Sequence, residues 1–436
     1  MTPDWLMHDG EVVPSIIVLS HAEQRERLRM SCPDAVPKAL VAGDICFDRL
    51  RASQALRASY RRAFGLTRHQ KLVVVSSTWG PESLVHSAPD LPLRLAEQLP
   101  ADEFRVLLAP HPNIVAAHSS WQFGQNLAAA IRAGVTVPED VDAWRAAIVA
   151  ADLVVGDHGS VPFYSTALGI PLLLAAAPLH RLDPRSPTAQ LLHTAPILDP
   201  RADLVAQVRH TIAEHDPRRY SAITTLGNSE PDASPRILRT AMYHSMGLAE
   251  PAEPAELSTV PLPTSELVRP TAYSVHVSIE RGTTAHITRF PAERLHTPEG
   301  IPRGSHVVVG GSEPRRQWLR LADALIGAAG TEPEHWIAET LACSPGLAIA
   351  AAPLGDSAWL LGDRSGTVIT IAGSPLACEL FTSVAVDRMS AGRALSDLHG
   401  TWTIHCAGRI YSSTVRAAPS PDRVAHSGSA RGEDVA

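Results

Sequence analysis

The sequence predicts an α/β protein, with a doubly wound parallel sheet followed by a small C-terminal α+β domain. Three observations carry that expectation. The run 72–75, Leu72-Val73-Val74-Val75, is continuously apolar, as in a strand covered on both faces. Strand patterns recur at 105–109, 153–155 and 171–175, each separated from the next by helical patterning. Hydrophobic residues make up 45% of the 436 residues and charged residues 19%, which suits packed cores rather than extended disorder.

The elements follow in order. Residues 1–40 read as a short strand at 15–19 and a charged helix at 22–30, broken near Cys32-Pro33. A helix at 48–64 carries Leu50, Leu56 and Tyr60 and ends before Gly65. After strand 72–75 come helix 91–99, strand 105–109, helix 120–133, short strand 135–137 and helix 141–150. Then come strand 153–155, helix 161–168, strand 171–175, a helix near 188–192, short strand 197–198 and helix 202–215. Such alternation implies right-handed crossovers and a parallel sheet. Residues 248–270, rich in Pro, Glu, Ser and Ala, read as an exposed linker. Residues 271–417 form the second ordered part: a hairpin over 272–290, strand 305–309, helices 317–326 and 334–341, and strands 347–352, 358–361 and 367–371. The tail 418–436 has a disordered composition.

In a doubly wound sheet, ligands bind beyond the carboxyl ends of the strands. Four loops qualify. Ser76-Ser77-Thr78-Trp79-Gly80-Pro81 offers hydroxyls and backbone donors to an anion or a sugar; its plain alternative is a satisfied turn. Pro110-His111-Pro112-Asn113 holds an imidazole on a stiff extended backbone, suited to phosphate binding or acid/base work. In Gly156-Asp157-His158-Gly159-Ser160 a buried strand turns into a helix. The free N–H groups and dipole of a helix start favour an anion, and glycines let a phosphate come close. Ser160 could instead serve only as the helix N-cap. Asp157 would repel a phosphate, so it is expected to accept from a ribose or substrate hydroxyl, or to orient His158. Ala177-Pro178-Leu179-His180-Arg181 ends in a basic pair, either a phosphate contact or simply an exposed surface.

Several strings, taken together, resemble one family. They are Val41-Ala42-Gly43-Asp44-Ile45-Cys46-Phe47-Asp48, Ser77-Thr78-Trp79, His111-Pro112, the segment Ala151 through Ser160, and Gly169-Ile170-Pro171. In order and spacing, over about residues 38–247, the chain resembles the CDP-glycerol glycerophosphotransferases, the teichoic-acid primases and polymerases of GT-B glycosyltransferase fold. More distantly it is similar to UDP-GlcNAc 2-epimerases. The resemblance implies a Rossmann-like C-terminal half of a GT-B transferase at 41–247, acting on CDP-glycerol or a nucleotide sugar in cell-envelope polymer synthesis. It puts His111 at the family's His-Pro motif, near the donor diphosphate, as the catalytic residue. Ser77, Thr78, Trp79, Gly80, Gly156, Asp157, His158, Gly159 and Ser160 become the donor-binding set. Two positions depart from the family pattern. Its Gly-x-Pro-Arg-x-Asp signature here reads Gly43 to Asp48 without Pro or Arg, and Gly159 stands where its donor loop has a first serine. A GT-B enzyme also needs an N-terminal half, of which residues 1–40 would be a remnant. Three accounts of that half stay open at this point: it precedes the residues given, it has been lost, or a partner chain supplies it. The alternative functions are a non-catalytic nucleotide-binding scaffold and a nucleotide-sugar epimerase.

The bulk properties set limits. The net charge of −7 argues against a nucleic-acid partner. Five scattered cysteines without a Cys-x-x-Cys pair argue against a disulfide framework or a structural zinc, and point to the reducing cytoplasm. No signal peptide or long apolar span is evident, which leaves peripheral contact with the inner face of the membrane as the form of membrane association. No cofactor or metal is expected. Asp356, Asp363 and Asp387 in the C-terminal part read as turn or surface residues rather than ligands.

Overall fold

The computed structural model describes residues 3–140, 142–264, 266–296, 304–330 and 332–418. The tail expected to be disordered lies outside the described residues from 419 onward. The chain forms two compact units. The first is Met1–Leu95 with Phe104–Val268; the second is Ala96–Glu103 with the chain from Arg269 onward.

The first unit is built on four parallel strands in the spatial order Phe104–Pro110, Lys71–Ser77, Leu153–Gly156, Leu172–Leu174. Single parallel bridges extend it at both edges, Thr136 beside Leu107 and Ile197 beside Leu174. Numbered along the chain, the six positions run 3-2-1-4-5-6, the order of a Rossmann sheet. The direction of winding reverses between Lys71–Ser77 and Leu153–Gly156, so the crevice between their carboxyl ends is the switch point. Leu72, Val73, Val74, Val75, Leu153, Val154 and Val155 are all fully buried, which is why these strands read as unbroken apolar runs. At the opposite end, Asp152 fixes the register. Its carboxylate accepts from Arg57 and Arg61, each at 2.7 Å, and from the Leu72 backbone at 2.8 Å.

Some elements differ from expectation. The helix expected at 48–64 is Ile45–Ser53, a 3₁₀ turn Gln54–Leu56 and Arg57–Ala63. The Ser53 hydroxyl donates back to the Arg49 carbonyl at 2.7 Å, a bond that bends helices. The helix expected at 120–133 is Ser120–Asn126 and Ala128–Arg132, and a further helix, Pro112–His118, precedes it. Ser119, at φ +62°, separates Pro112–His118 from Ser120–Asn126, and no α-helix continues through that conformation. Part of the expected linker is not free. Val260 donates to Ser53 Oγ and accepts from Tyr60 Oη, Leu267 donates to the Phe64 carbonyl, and Val260 and Leu267 are buried. Before the main sheet, Ile17–Leu19 pairs in parallel with Ala39–Val41, and helix Ala22–Ser31 buries Leu28 in the same small core.

The second unit corrects the expectation of a small α+β domain, because its nine strands close into a barrel. In order these are Thr284–Pro291, Gly400–Cys406, Arg409–Ala417, Val368–Ala372, Ala358–Asp363, Ile349–Pro353, Ala324–Ile326, Ser305–Gly310 and Ala272–Ile279, which returns to the first. Helix Pro375–Ser390 fills the lumen. It touches strands on every side, and every residue from Leu380 to Val386 is buried, leaving it no solvent face. The expected helix 317–326 is helix Arg316–Leu321 followed by strand Ala324–Ile326. That strand is held by parallel partners on both sides, Ser305–Gly310 and Ile349–Pro353, and this pairing overrides local helix preference. Arg289, nearly buried, is satisfied by Asp102 at 2.6 Å, by Glu379 and by the face of Tyr273. Among the described residues no helix is long and apolar enough to cross a membrane.

Candidate functional site at the switch point

The loops after Lys71–Ser77 and Leu153–Gly156 meet on one buried carboxylate. Asp157 Oδ2 accepts from the Thr78 backbone N–H at 2.8 Å, the Thr78 hydroxyl at 2.8 Å and the Leu84 N–H at 2.9 Å. Oδ1 accepts from Gly159 N–H at 3.2 Å. Asp157 is fully buried. It therefore closes residues 78–84 into an arch rather than presenting a free acceptor to a ribose hydroxyl. Ser77 is also internal: its hydroxyl donates to the Thr78 carbonyl and accepts from Val85 N–H.

The two loop glycines answer to packing. A Cβ on Gly156 would lie 2.5 Å from Pro162 Cγ, and one on Gly159 would lie 2.6 Å from Thr78 Cγ2. Gly159 is the N-cap of helix Ser160–Ala167, and no side chain caps that helix. Ser160 is thus the first helical residue and exposed, not the cap. The helix start, with its unshared N–H groups, opens beside the arch. His158 is half-buried, and its Nδ1 is buried without a hydrogen-bond partner.

His111 and Trp79 form the outer wall. The His111 N–H donates to the Ser77 carbonyl at 2.9 Å, which holds the second loop against the first. His111 caps helix Pro112–His118 through Nδ1, which accepts from Asn113 N–H at 3.1 Å. That bond leaves the neutral ring's proton on Nε2. The exposed Trp79 indole lies 6.4 Å from the imidazole, centroid to centroid, and Gly80 takes the turn after it at φ +94°.

Two neighbours were not singled out in the sequence. One is a cavity of about 770 Å³ beyond the end of Phe104–Pro110, lined by Pro110, Pro112, Phe123, Leu127, Val137 and Trp144 among others. The other is Glu82, at the crest of the arch. It meets His180 Nε2 at 2.7 Å and Arg181 Nε at 3.0 Å. No local pattern links Glu82 to a basic pair almost a hundred residues on; only the sheet order brings them together. Trp144 also stacks on Tyr164, whose hydroxyl donates to Asp44 at 2.8 Å. Burial and the Asp44 carboxylate together hold the Tyr164 phenol far above its ordinary range. Asp44 caps helix Ile45–Ser53, and Gly43 before it sits at φ +77°, so this string is a helix start packed behind the site. Among the described residues no group of three or more His, Cys, Asp or Glu is arranged to hold a metal ion.

No family model and no curated protein matches the chain. Among solved structures it is similar to the wall teichoic acid polymerase TagF, with TM-score 0.38 and 15% identity over 53% of this chain and 58% of that one. A glycosyltransferase from Rickettsia africae gives TM-score 0.30 and 11% identity, covering 53% and 63% of the two chains. HepE from Anabaena, solved with UDP-glucose, gives TM-score 0.30 and 15% identity, covering 54% and 64%. The chain thus spans less than two thirds of each of these proteins.

Proposed function

We propose that the first unit is the donor-binding half of a glycosyl- or glycerophosphotransferase that uses a nucleotide-activated donor. The observation that carries this reading is the uncapped start of helix Ser160–Ala167 at the switch point, with His111 in the adjoining loop. The donor diphosphate would lie at that helix start. His111 Nε2–H would donate to a phosphate oxygen and stabilise the charge that grows on the departing nucleotide. With its proton on Nε2, His111 serves as a donor rather than a base, so deprotonation of the acceptor hydroxyl falls to another group. The apolar cavity beside Pro110 is of a size to take the nucleobase. CDP-glycerol and nucleotide sugars are the donor classes proposed.

A second reading is a nucleotide-binding protein without turnover. Asp157 favours it, since the carboxylate nearest the helix start is wholly engaged in internal hydrogen bonds.

Thermal unfolding with CDP, UDP, CDP-glycerol and UDP-GlcNAc tests both. Ligand at 100 times its dissociation constant should add about 2.7 kcal/mol of stability. Release of CMP or UDP from a donor would separate transferase from scaffold. An unchanged melting temperature with all four compounds would sink the nucleotide reading.

A further inference from the structure

We infer that His180 and Arg181 form a phosphate subsite whose present occupant is the Glu82 carboxylate, so that a nucleoside diphosphate binds by displacing it. The inference rests on the nucleotide reading above and adds a means of regulating that site. Three observations carry it.

The first is position. Leu153–Gly156 lies between Lys71–Ser77 and Leu172–Leu174 in the sheet. The loops of the two outer strands therefore flank the helix start at Gly159-Ser160. Glu82 belongs to one flanking loop and His180 and Arg181 to the other, so their contact passes across the mouth between them.

The second is the form of the contact. Each Glu82 oxygen has its own donor, Oε1 with His180 Nε2 at 2.7 Å and Oε2 with Arg181 Nε at 3.0 Å. Two donors that hold the two oxygens of a carboxylate can equally hold two oxygens of a phosphate.

The third is exposure. The side chains of His180 and Arg181 are 70% and 64% exposed and that of Glu82 33%. An ion pair this open is weak and exchanges readily with a competing anion. The ends of the arch, by contrast, are fixed at Thr78 and Leu84 by buried Asp157. Release of Glu82 thus requires only a side-chain movement and leaves the arch in place.

The test is calorimetric titration of the full chain with UDP and CDP, comparing wild type, Glu82→Gln, Arg181→Gln and the double variant. Glu82→Gln should tighten binding about threefold to tenfold, since it removes both the internal competitor and its repulsion of the diphosphate. Its affinity should also fall more steeply with added salt. Arg181→Gln should weaken binding and cancel the gain in the double variant. If Glu82→Gln binds no more tightly than wild type, or keeps its gain without Arg181, this inference is overturned while the nucleotide reading stands. If neither wild type nor any variant binds UDP or CDP, both are overturned together.

Discussion

The carboxylate of Asp157 lies 2.8 Å from the backbone nitrogen of Thr78, and one of its oxygens also receives Leu84 N–H at 2.9 Å. One buried side chain thus ties the loop after one central strand to the loop after its neighbour. The crevice walls are set by this bond before any ligand arrives.

Replacing Asp157 with Ala should therefore act on stability first. It strands the buried Leu84 N–H and the half-buried Thr78 N–H and hydroxyl, each at up to about 1–3 kcal/mol. The summed loss is expected near 3 kcal/mol or more, read as a fall in the urea midpoint. Asn, which keeps one acceptor oxygen, should fall between Ala and wild type. A wild-type midpoint for Asp157→Ala would show that the bonds contribute nothing net.

Gly159 and Thr78 should be energetically coupled. A methyl on Gly159 meets Thr78 Cγ2 at 2.6 Å, so Gly159→Ala should cost about 1–3 kcal/mol by overpacking. Thr78→Ser removes that methyl and keeps the hydroxyl that bonds Asp157. The double variant should recover most of the loss. Additive costs across the cycle would rule out the clash as the cause.

His111 has two duties that substitution can separate. Its Nδ1 caps a helix, which leaves Nε2–H for the proposed phosphate contact. Asn is a good N-cap, so His111→Asn should hold its melting temperature while donor turnover is lost. His111→Ala should lose turnover and also about 1 kcal/mol of stability. Turnover by His111→Asn at the wild-type rate would remove His111 from the chemistry.

In the barrel, His306 faces the lumen, on the same side of its strand as Val308, and its Nε2 is buried without a partner. Burial pushes its pKa down from 6.5 to about 4, against a smaller opposing pull from Asp387. The folded form then binds fewer protons than the unfolded form between these values, so stability rises with pH through that window. The contribution is complete above pH 6.5 and is lost as pH falls towards 4, roughly 3 kcal/mol in all. The difference in urea stability between wild type and His306→Leu should change by about that amount from pH 7.5 to 4. A difference that stays constant with pH would show that His306 does not titrate as its burial implies.

The central strands were legible because burial on both faces demands an unbroken apolar run, and Leu72 to Val75 is one. The loop Gly156 to Ser160 stood out by its place between such a strand and a helix. Its internal wiring was hidden: Asp157 and Thr78 are 79 residues apart, and nothing local says that this carboxylate turns inward. The basis for the two glycines differed likewise, since Pro162 and Thr78 crowd them.

The second unit shows the same division more sharply. Most of its individual strands carry local β-pattern, but closure depends on parallel pairs such as His286 with His405, separated by more than a hundred residues. Helix Pro375–Ser390, buried on all sides from Leu380 to Val386 because a barrel surrounds it, has no single apolar stripe for periodicity to detect. By itself, the sequence determined which segments are buried on both faces and where the strand-end loops fall, because burial and turn chemistry act on neighbours along the chain. Only the tertiary structure decided which carboxylate faces inward, which basic pair Glu82 meets and that nine strands close, because those depend on pairings that loop closure alone brings within reach.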